Sequence, residues 1–154
     1  MPDDNDTLGE TKAWLQARMR DGVKCPCCTQ LAKIYRRTIT SQMALWLMWL
    51  VRETTEAPDG WVDIKTNTDL RGGDYAKLRY WGLLEHQTND DPAKRSSGLW
   101  RPTPAAVTFV QDRVRLHKHV LIFDDQFLSF DGDAMIGIRE ALGKKFNYEE
   151  LMRG

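Results

Sequence analysis

Three cysteines stand within four residues of one another, in the run Cys25-Pro26-Cys27-Cys28. A Cys-Pro-x-Cys turn forms a knuckle that offers two thiolates, here those of Cys25 and Cys28, to one metal ion. An odd, tight cluster of cysteines cannot pair off into a disulfide framework. The run therefore indicates a reducing compartment and a candidate structural zinc site.

A closed structural zinc site needs four ligands, so the knuckle requires partners from elsewhere. We expect His117 and His119 to complete the site with Cys25 and Cys28, because alternate residues on a strand point to one face. Cys27 and His86 are further candidates. Two other interpretations stay open: two protomers share an all-cysteine site, or the turn is reduced and holds no metal. No thioredoxin-like βαβ pattern surrounds the Cys-x-x-Cys spacing, which disfavours a redox role.

A second group of residues could hold the phosphates of a nucleic acid. Lys77 and Arg79 alternate with apolar residues in the segment 74–81, so both cations should point away from the core. Further cations flank the segment: Arg71 precedes it, and Lys94 and Arg95 lie in the polar loop that follows. A cationic helix and a cationic loop suit phosphates on either side of a DNA groove. The competing interpretation is a solvated helix face, and Asp90-Asp91 dilutes the positive charge of the loop.

The elements around these cations follow the order of the second half of a winged helix. Asp74 is a good N-cap, and Gly82 is a left-handed helix stop. Strands are predicted on both sides of the polar loop, and Thr103-Pro104 is typical of a helix start. A winged helix most often places its helix and its loop on nucleic acid. Tyr80, Trp81 and Trp100 could stack on bases, but at this spacing aromatic residues more often lie in the core.

The remaining chain supplies the elements that must support this motif. Thr7 and Glu10 form a capping box, which predicts a helix ending near Gly22. The segment 30–38 could be a strand that leaves the knuckle or a short basic helix, and the strand is the preferred interpretation. The strongest helix is predicted for residues 42–53, capped by Thr40 or Ser41, and it is apolar nearly all round, as a buried central helix should be. A short strand is predicted at 61–64.

The C-terminal part of the chain predicts three more elements. Val107, Val110 and Val114 should form the buried stripe of the helix that begins at Thr103-Pro104. A hairpin is predicted for residues 120–130 around Asp124-Asp125. Asp133 should cap a last helix over residues 134–142, closed by Gly143.

Together these patterns predict an α+β fold with a winged-helix-like core, an N-terminal Cys-knuckle arm, and a C-terminal β-hairpin plus helix. We expect three segments: residues 1–38 as the arm, 39–116 as the core and 117–154 as the C-terminal part. The 154 residues carry no net charge, which argues against a purely electrostatic DNA binder. Residues 33–118 are mildly basic, with 14 Lys and Arg against 10 Asp and Glu, and the ends are acidic. The start of the chain lacks the basic and apolar regions of a secretory signal.

Three sequence patterns resemble a family of small phage and prophage proteins with an N-terminal Cys-Pro-x-Cys knuckle and a winged-helix-like core. The patterns are Cys25-Pro-x-Cys28-x-Gln30 leading into Lys33-x-Tyr35-x-Arg37; the run 78–83 followed by Trp100-Arg101-x-Thr103; and the run 138–143 continuing through Phe146-Asn147-Tyr148 to Leu151-Met152. The resemblance covers roughly residues 24–152. It implies a phage origin and action in the cytoplasm of a bacterial host. It carries over no catalytic residues, and Thr29 replaces a glycine that is common in such knuckles.

The sequence favours a non-enzymatic function, because no nucleophile triad, phosphate-binding loop or paired-carboxylate motif is present. The leading expectation is a DNA-binding winged-helix protein that regulates transcription or assists DNA metabolism. Its contacts to duplex DNA would come from Arg71, Lys77, Arg79, Lys94 and Arg95, and its structural Zn from Cys25, Cys28, His117 and His119. The alternative is a protein that binds and inhibits a host enzyme or defence complex. A homodimer could form through the first helix or the last one.

Overall fold

The computed structural model describes residues 1–56, 59–64, 74–88, 90–93 and 98–153. The α-helices are α1 (Leu8–Gln16), α2 (Ser41–Glu56), α3 (Pro104–Val110), α4 (Ile138–Leu142) and α5 (Tyr148–Arg153), and a 3₁₀ helix spans Asp74–Trp81. The strands are β1 (Val23–Lys24), β2 (Leu31–Ala32), β3 (Tyr35–Thr38), β4 (Val62–Asp63), β5 (Leu84–His86), β6 (Leu99–Pro102), β7 (Leu116–His117), β8 (His119–Phe123), β9 (Gln126–Phe130) and β10 (Met135–Ile136). Helices and antiparallel strands are both present, so the predicted α+β class is confirmed.

The chain divides into two compact units, which are described separately. Unit 1 comprises Met1–Arg37 and Val120–Asp131, and unit 2 comprises Thr38–His119 and Gly132–Gly154. The three segments expected from the sequence stay a prediction.

Unit 1 begins with the predicted capping box at the start of α1. The backbone N–H of Glu10 donates to the Thr7 hydroxyl at 3.1 Å, and the N–H of Thr7 donates to the Glu10 carboxylate at 2.9 Å. The expected end near Gly22 is wrong, because α1 ends at Gln16 and turns follow. Thr11 is the buried residue of this helix. Most of the stability of a helix in a protein comes from tertiary packing. Because α1 has little of it, the helix does not extend far beyond its capped first turn.

The strands of unit 1 form two small sheets. β1 and β2 pair as a hairpin around the cysteine run, with Val23 opposite Ala32. The expected strand at 30–38 is instead split into β2 and β3, because Ile34 leaves the strand and donates its N–H to the carbonyl of Met19. The second sheet has the order β3-β8-β9. Its β8–β9 hairpin confirms the predicted one.

Asp124 and Asp125 make the tight turn of this hairpin. Both have positive φ, 51° and 58°, which is the backbone that a two-residue turn of the right twist requires. Aspartate tolerates this conformation better than most residues because its short side chain can hydrogen-bond locally. The acidic pair therefore serves as a turn, as expected.

Unit 2 is built around α2. The helix is capped by Thr40, whose hydroxyl accepts the N–H of Met43 at 3.2 Å. Six of its residues are buried: Met43, Ala44, Trp46, Leu47, Met48 and Leu50. The helix packs against the 3₁₀ helix, α3, α4 and the strands β4 and β6. The prediction of a buried central helix is confirmed.

A three-stranded antiparallel sheet of order β4-β6-β5 lies against this helix. Val62 is opposite Trp100, and Leu84 is opposite Pro102. Side chains alternate across the two faces of a strand, so these positions share the face that is turned toward the core. Each of the three strands thus contributes a buried apolar residue: Val62, Leu84 and Trp100.

Two expectations for the C-terminal part are wrong. The last helix does not span 134–142, because Met135–Ile136 forms β10 opposite β7 and α4 begins only after Gly137. The pairing of β10 with a distant segment overrides the local helical pattern. The expected stripe of α3 is wrong in part: Val110 is buried as expected, but its buried neighbours are Ala106 and Phe109, and Val114 lies beyond the end of the helix and is 38% exposed. Gly143 does close α4, with a φ of 64°.

We predict that Leu47→Ala lowers the free energy of unfolding by about 3 kcal/mol, the usual cost of a cavity at a fully buried leucine. Leu47 is 0% exposed on α2, whereas Leu8 is 66% exposed on α1. Leu8→Ala is the matched control and should cost well under 1 kcal/mol by the general behaviour of surface substitutions. Urea unfolding followed by circular dichroism measures both. Equal losses in the two variants would contradict a core centred on α2.

Candidate functional site

The 3₁₀ helix Asp74–Trp81 carries the candidate DNA-binding cations. It is anchored by Leu78 and Trp81, which are 0% and 6% exposed. Residues three apart are eclipsed in a 3₁₀ helix, so these two side chains lie on the same side. The indole N–H of Trp81 donates to the carbonyl of His117 at 2.7 Å. Gly82 ends the helix with a φ of 71°, and the predicted stop is confirmed.

Lys77 and Arg79 occupy the outer side of this helix but differ in their surroundings. The Lys77 ammonium contacts Asp74 at 2.6 Å, so part of its charge is neutralised by its own helix. Arg79 is exposed, and its guanidinium lies 3.0 Å from the Tyr80 hydroxyl and over the Tyr80 ring. Arg79 therefore presents the more available positive charge of the two.

The other predicted DNA contacts, Arg71, Lys94 and Arg95, lie outside the described residues. The loop that would be the wing leaves β5 at His86 and returns to β6 at Leu99. Asp90 and Asp91 are exposed in this loop, and the Asp91 carboxylate accepts the N–H of Ala93 at 2.9 Å. Asp91 thus acts as a turn residue, which is its ordinary role.

A chain of four aromatic rings fixes the 3₁₀ helix in unit 2. Tyr75 stacks on Trp46 of α2 at a ring-centroid distance of 4.4 Å and meets Trp100 of β6 edge-on at 5.9 Å. His86 of β5 stacks on Trp100 at 4.2 Å. Burial raises the pKa of the Tyr75 hydroxyl above its ordinary value. Trp81 and Trp100 thus lie in the core, as the sequence favoured.

Thr103 connects the 3₁₀ helix, the sheet and α3. Its hydroxyl donates to the carbonyl of Gly82 at 2.6 Å and accepts the N–H of Ala106 at 3.3 Å. Its backbone N–H donates to the carbonyl of Leu83 at 3.0 Å. One side chain therefore caps α3 and also fixes the end of the 3₁₀ helix.

The outer face of the sheet carries a row of residues that the sequence analysis missed. Arg101 lies over the ring of Trp61 at 4.3 Å and contacts the carboxylate of Glu85 at 2.5 Å. These residues border an open cleft that is also lined by His86, Gln87, Thr88 and Asp90. The alternation of side chains within each short strand indicates that Glu85 and Arg101 point outward. Their pairing across the sheet, however, depends on strand register. Register is set by long-range packing and cannot be read from one strand.

The Cys25–Gln30 loop closes the β1–β2 hairpin as a knuckle. The N–H of Cys25 donates to the carbonyl of Gln30 at 2.8 Å, and the N–H of Thr29 donates to the carbonyl of Cys25 at 2.9 Å. Thr29 has a φ of 64°, the left-handed conformation that glycine would adopt more easily. The backbone N–H groups of Cys28 and Cys27 donate to the Cys25 sulfur, and they lower the pKa of that thiol.

His117 and His119 lie on two different strands, β7 and β8, which are separated by a bend at Lys118. The expectation that one strand presents both rings is therefore wrong. His117 is opposite Met135, and the Nδ1 atom of His119 is 2.8 Å from the Thr38 hydroxyl. Within the described ranges, no three His, Cys, Asp or Glu residues converge as a metal site. The four-residue zinc site stays a prediction.

Comparisons of the chain with protein-family models, with curated proteins and with solved structures find no match. In the part of the chain that the structure describes, no helix is long and apolar enough to cross a membrane.

We predict that Thr103→Ala lowers the free energy of unfolding by about 1–2 kcal/mol, the cost of losing a helix cap together with a further hydrogen bond. Thr103→Ser keeps the hydroxyl and should retain most of the stability. Chemical denaturation of the two variants gives the comparison. Equal destabilisation by serine and alanine would show that Thr103 stabilises the fold through its methyl group and not through the two hydrogen bonds.

Proposed function

We propose that this is a phage-encoded DNA-binding protein whose unit 2 is a winged helix, acting as a regulator or an accessory of DNA metabolism in the bacterial cytoplasm. The observation that carries the proposal is the order of elements. The helix α2 is followed by β4, then by the 3₁₀ helix, and then by the β5–β6 pair, with β6 at the centre of the sheet. A helix placed before a strand–loop–strand wing is the arrangement that winged-helix proteins use on DNA.

The outward charges of the 3₁₀ helix supply the chemistry that the proposal requires. Arg79 is exposed and offers a planar donor group that suits phosphate oxygens or a guanine edge. Lys77 would exchange its surface ion pair with Asp74 for a phosphate, at small cost because exposed ion pairs contribute little stability. Leu78 and Trp81 hold the helix from the opposite side. Binding would therefore require no rearrangement of the core.

The sequence of the loop between β5 and β6 adds Lys94 and Arg95, and Arg71 precedes the 3₁₀ helix. In the proposal these three cations contact the DNA backbone beside the groove. Such contacts position a protein but do not read sequence. Since Asp90 and Asp91 belong to the same loop, we expect moderate affinity that depends steeply on salt.

A second candidate function, binding to a host protein, is favoured by the cleft on the outer face of the sheet. The cleft combines the indole of Trp61 with Arg101, Glu85 and Asp90. Tryptophan and arginine are enriched where proteins bind one another, and acidic groups there would repel phosphate. This face and the 3₁₀ helix can be tested separately, because no residue is common to the two.

We predict that Lys77→Glu/Arg79→Glu weakens binding to duplex DNA by on the order of 100-fold and lowers the magnitude of the salt slope by about 2, one unit for each phosphate that the variant can no longer neutralise. Lys144→Glu/Lys145→Glu is the control, because it changes the net charge equally at two exposed lysines after α4. Fluorescence anisotropy of a labelled duplex at several salt concentrations gives both quantities. Circular dichroism confirms that each variant is folded.

Equal losses in the two double variants would mean that net charge alone drives binding, and the proposed interface would be wrong. Binding that does not depend on salt, or no binding to any duplex, would reject DNA as the ligand. A pull-down from host lysate, with nuclease and without, addresses the second candidate. Recovery of one stoichiometric host protein in the presence of nuclease would favour binding to a host protein. That protein should be lost from the pull-down with Trp61→Ala/Arg101→Ala.

A further inference from the structure

The pattern Lys33-x-Tyr35-x-Arg37 lies in unit 1, and the proposed duplex contacts of unit 2 make no use of it. Tyr35 begins the strand β3 and is 42% exposed. The Lys33 ammonium lies 5.5 Å from the centre of the Tyr35 ring, and the Arg37 guanidinium lies 5.2 Å from it. Two cations therefore flank one exposed aromatic ring.

The two cations at this ring are not neutralised by acidic side chains. Neither Lys33 nor Arg37 forms an ion pair with a carboxylate in the part of the chain that the structure describes. Arg36, by contrast, lies 3.0 Å from the carboxylate of Asp131. Successive residues of a strand point to opposite faces, so this ion pair belongs to the other face of β3. The face that carries Tyr35 thus keeps both of its positive charges for a ligand.

The segment that leads into β3 is held in place by packing and by a hydrogen bond. The N–H of Ile34 donates to the carbonyl of Met19 at 2.8 Å, which ties this segment to the turns after α1. The aliphatic stem of Lys33 lies against Gly22, where an added Cβ would come within 3.4 Å of the Lys33 Cδ. Lys33 is half-buried for this reason, and its ammonium is already positioned at the ring. A positioned side chain loses less entropy when a ligand binds.

An exposed ring between two cations suits a single strand of nucleic acid. Proteins hold single strands by stacking bases on aromatic rings and by placing lysine or arginine beside the phosphates. An acidic protein segment would use the two cations but would have no need of the ring. Bases of a duplex are stacked on one another, whereas those of a single strand can stack on a side chain. Exposed cation–π contacts are weak, so Lys33 and Arg37 can move to phosphates while a base takes their place on Tyr35.

We infer that unit 1 binds single-stranded nucleic acid on this face, with one base stacked on Tyr35 and the neighbouring phosphates held by Lys33 and Arg37. Single-stranded DNA and RNA share this chemistry of bases and phosphates. The inference does not depend on duplex binding by unit 2.

The first test compares two labelled strands on the full-length wild-type protein by fluorescence anisotropy. One is an oligothymidylate, and the other is a strand of the same length and charge whose sugars carry no bases. Stacking of one base should make the oligothymidylate bind more tightly by on the order of 10-fold. Equal binding of the two strands would overturn the inference. Polyglutamate that displaced the strand as well as unlabelled oligothymidylate does would also overturn it, because charge alone would then explain the binding. An oligouridylate of the same length shows whether RNA or DNA is the tighter ligand.

Variants then identify the residues that bind the strand. Tyr35→Ala should weaken binding to oligothymidylate by on the order of 10-fold, whereas Tyr35→Phe keeps the ring and should bind as the wild type does. Lys33→Glu/Arg37→Glu should weaken binding by on the order of 100-fold and lower the magnitude of the salt slope by about 1.4, or about 0.7 for each phosphate no longer neutralised. The control Lys144→Glu/Lys145→Glu changes the net charge equally and should have a much smaller effect.

The variant Lys77→Glu/Arg79→Glu separates this inference from the proposed function, because it should still bind oligothymidylate. Loss of single-strand binding in this variant, with retention in Lys33→Glu/Arg37→Glu, would assign the strand to unit 2 and overturn the inference. A wild-type protein that binds oligothymidylate but no duplex would support the inference and reject the proposed function. A wild-type protein that binds a duplex but not the single strands would overturn the inference alone. Circular dichroism confirms folding, and the two-strand comparison on the wild type decides the question if a variant does not fold.

Discussion

The burial of α2 is the constraint on which unit 2 depends. A helix that is apolar nearly all round can leave water only if other elements cover it on several sides. The 3₁₀ helix, α3, α4 and the β4-β6-β5 sheet provide that cover, and Leu47 and Leu50 are completely enclosed. The cover determines the position of the candidate site, because Trp46 on α2 stacks with Tyr75 and so places the helix that carries Lys77 and Arg79. The outward side of that helix carries the candidate DNA-binding cations.

The parts of the fold that sequence predicted well are those governed by neighbouring residues. The capping box at Thr7, the cap at Thr103 and the left-handed stop at Gly82 are all local, and the structure contains each of them. The segment Met135–Ile136 shows the limit, because its helical pattern yields to pairing with β7, about twenty residues away in the chain. Strand pairing between distant segments depends on packing that no short window contains.

The candidate sites also divide into features set by neighbouring residues and features set by distant ones. The knuckle was identifiable because Cys25 and Cys28 lie in one turn, and its hydrogen bonds are local. The pair of Lys77 with Asp74 could also have been anticipated, since residues three apart on a helix are neighbours. The row formed by Trp61, Arg101 and Glu85 could not, because it requires the register of three strands. The expected ring pair of His117 and His119 fails for a related reason, a bend between two strands that pair differently.

The two units place opposite demands on their surroundings. Unit 2 has a large buried core, and its surface cations form exposed ion pairs that contribute little stability, so those pairs can be exchanged for contacts to a ligand. Unit 1 has a small core, in which Val120 and Ile122 are buried, and the apolar side chains of its strand β9 are exposed. If unit 2 binds DNA as proposed, it offers few cations to the phosphates, and affinity rises steeply with the number of phosphates bound at once. Each of those cations should therefore contribute a measurable share of the affinity.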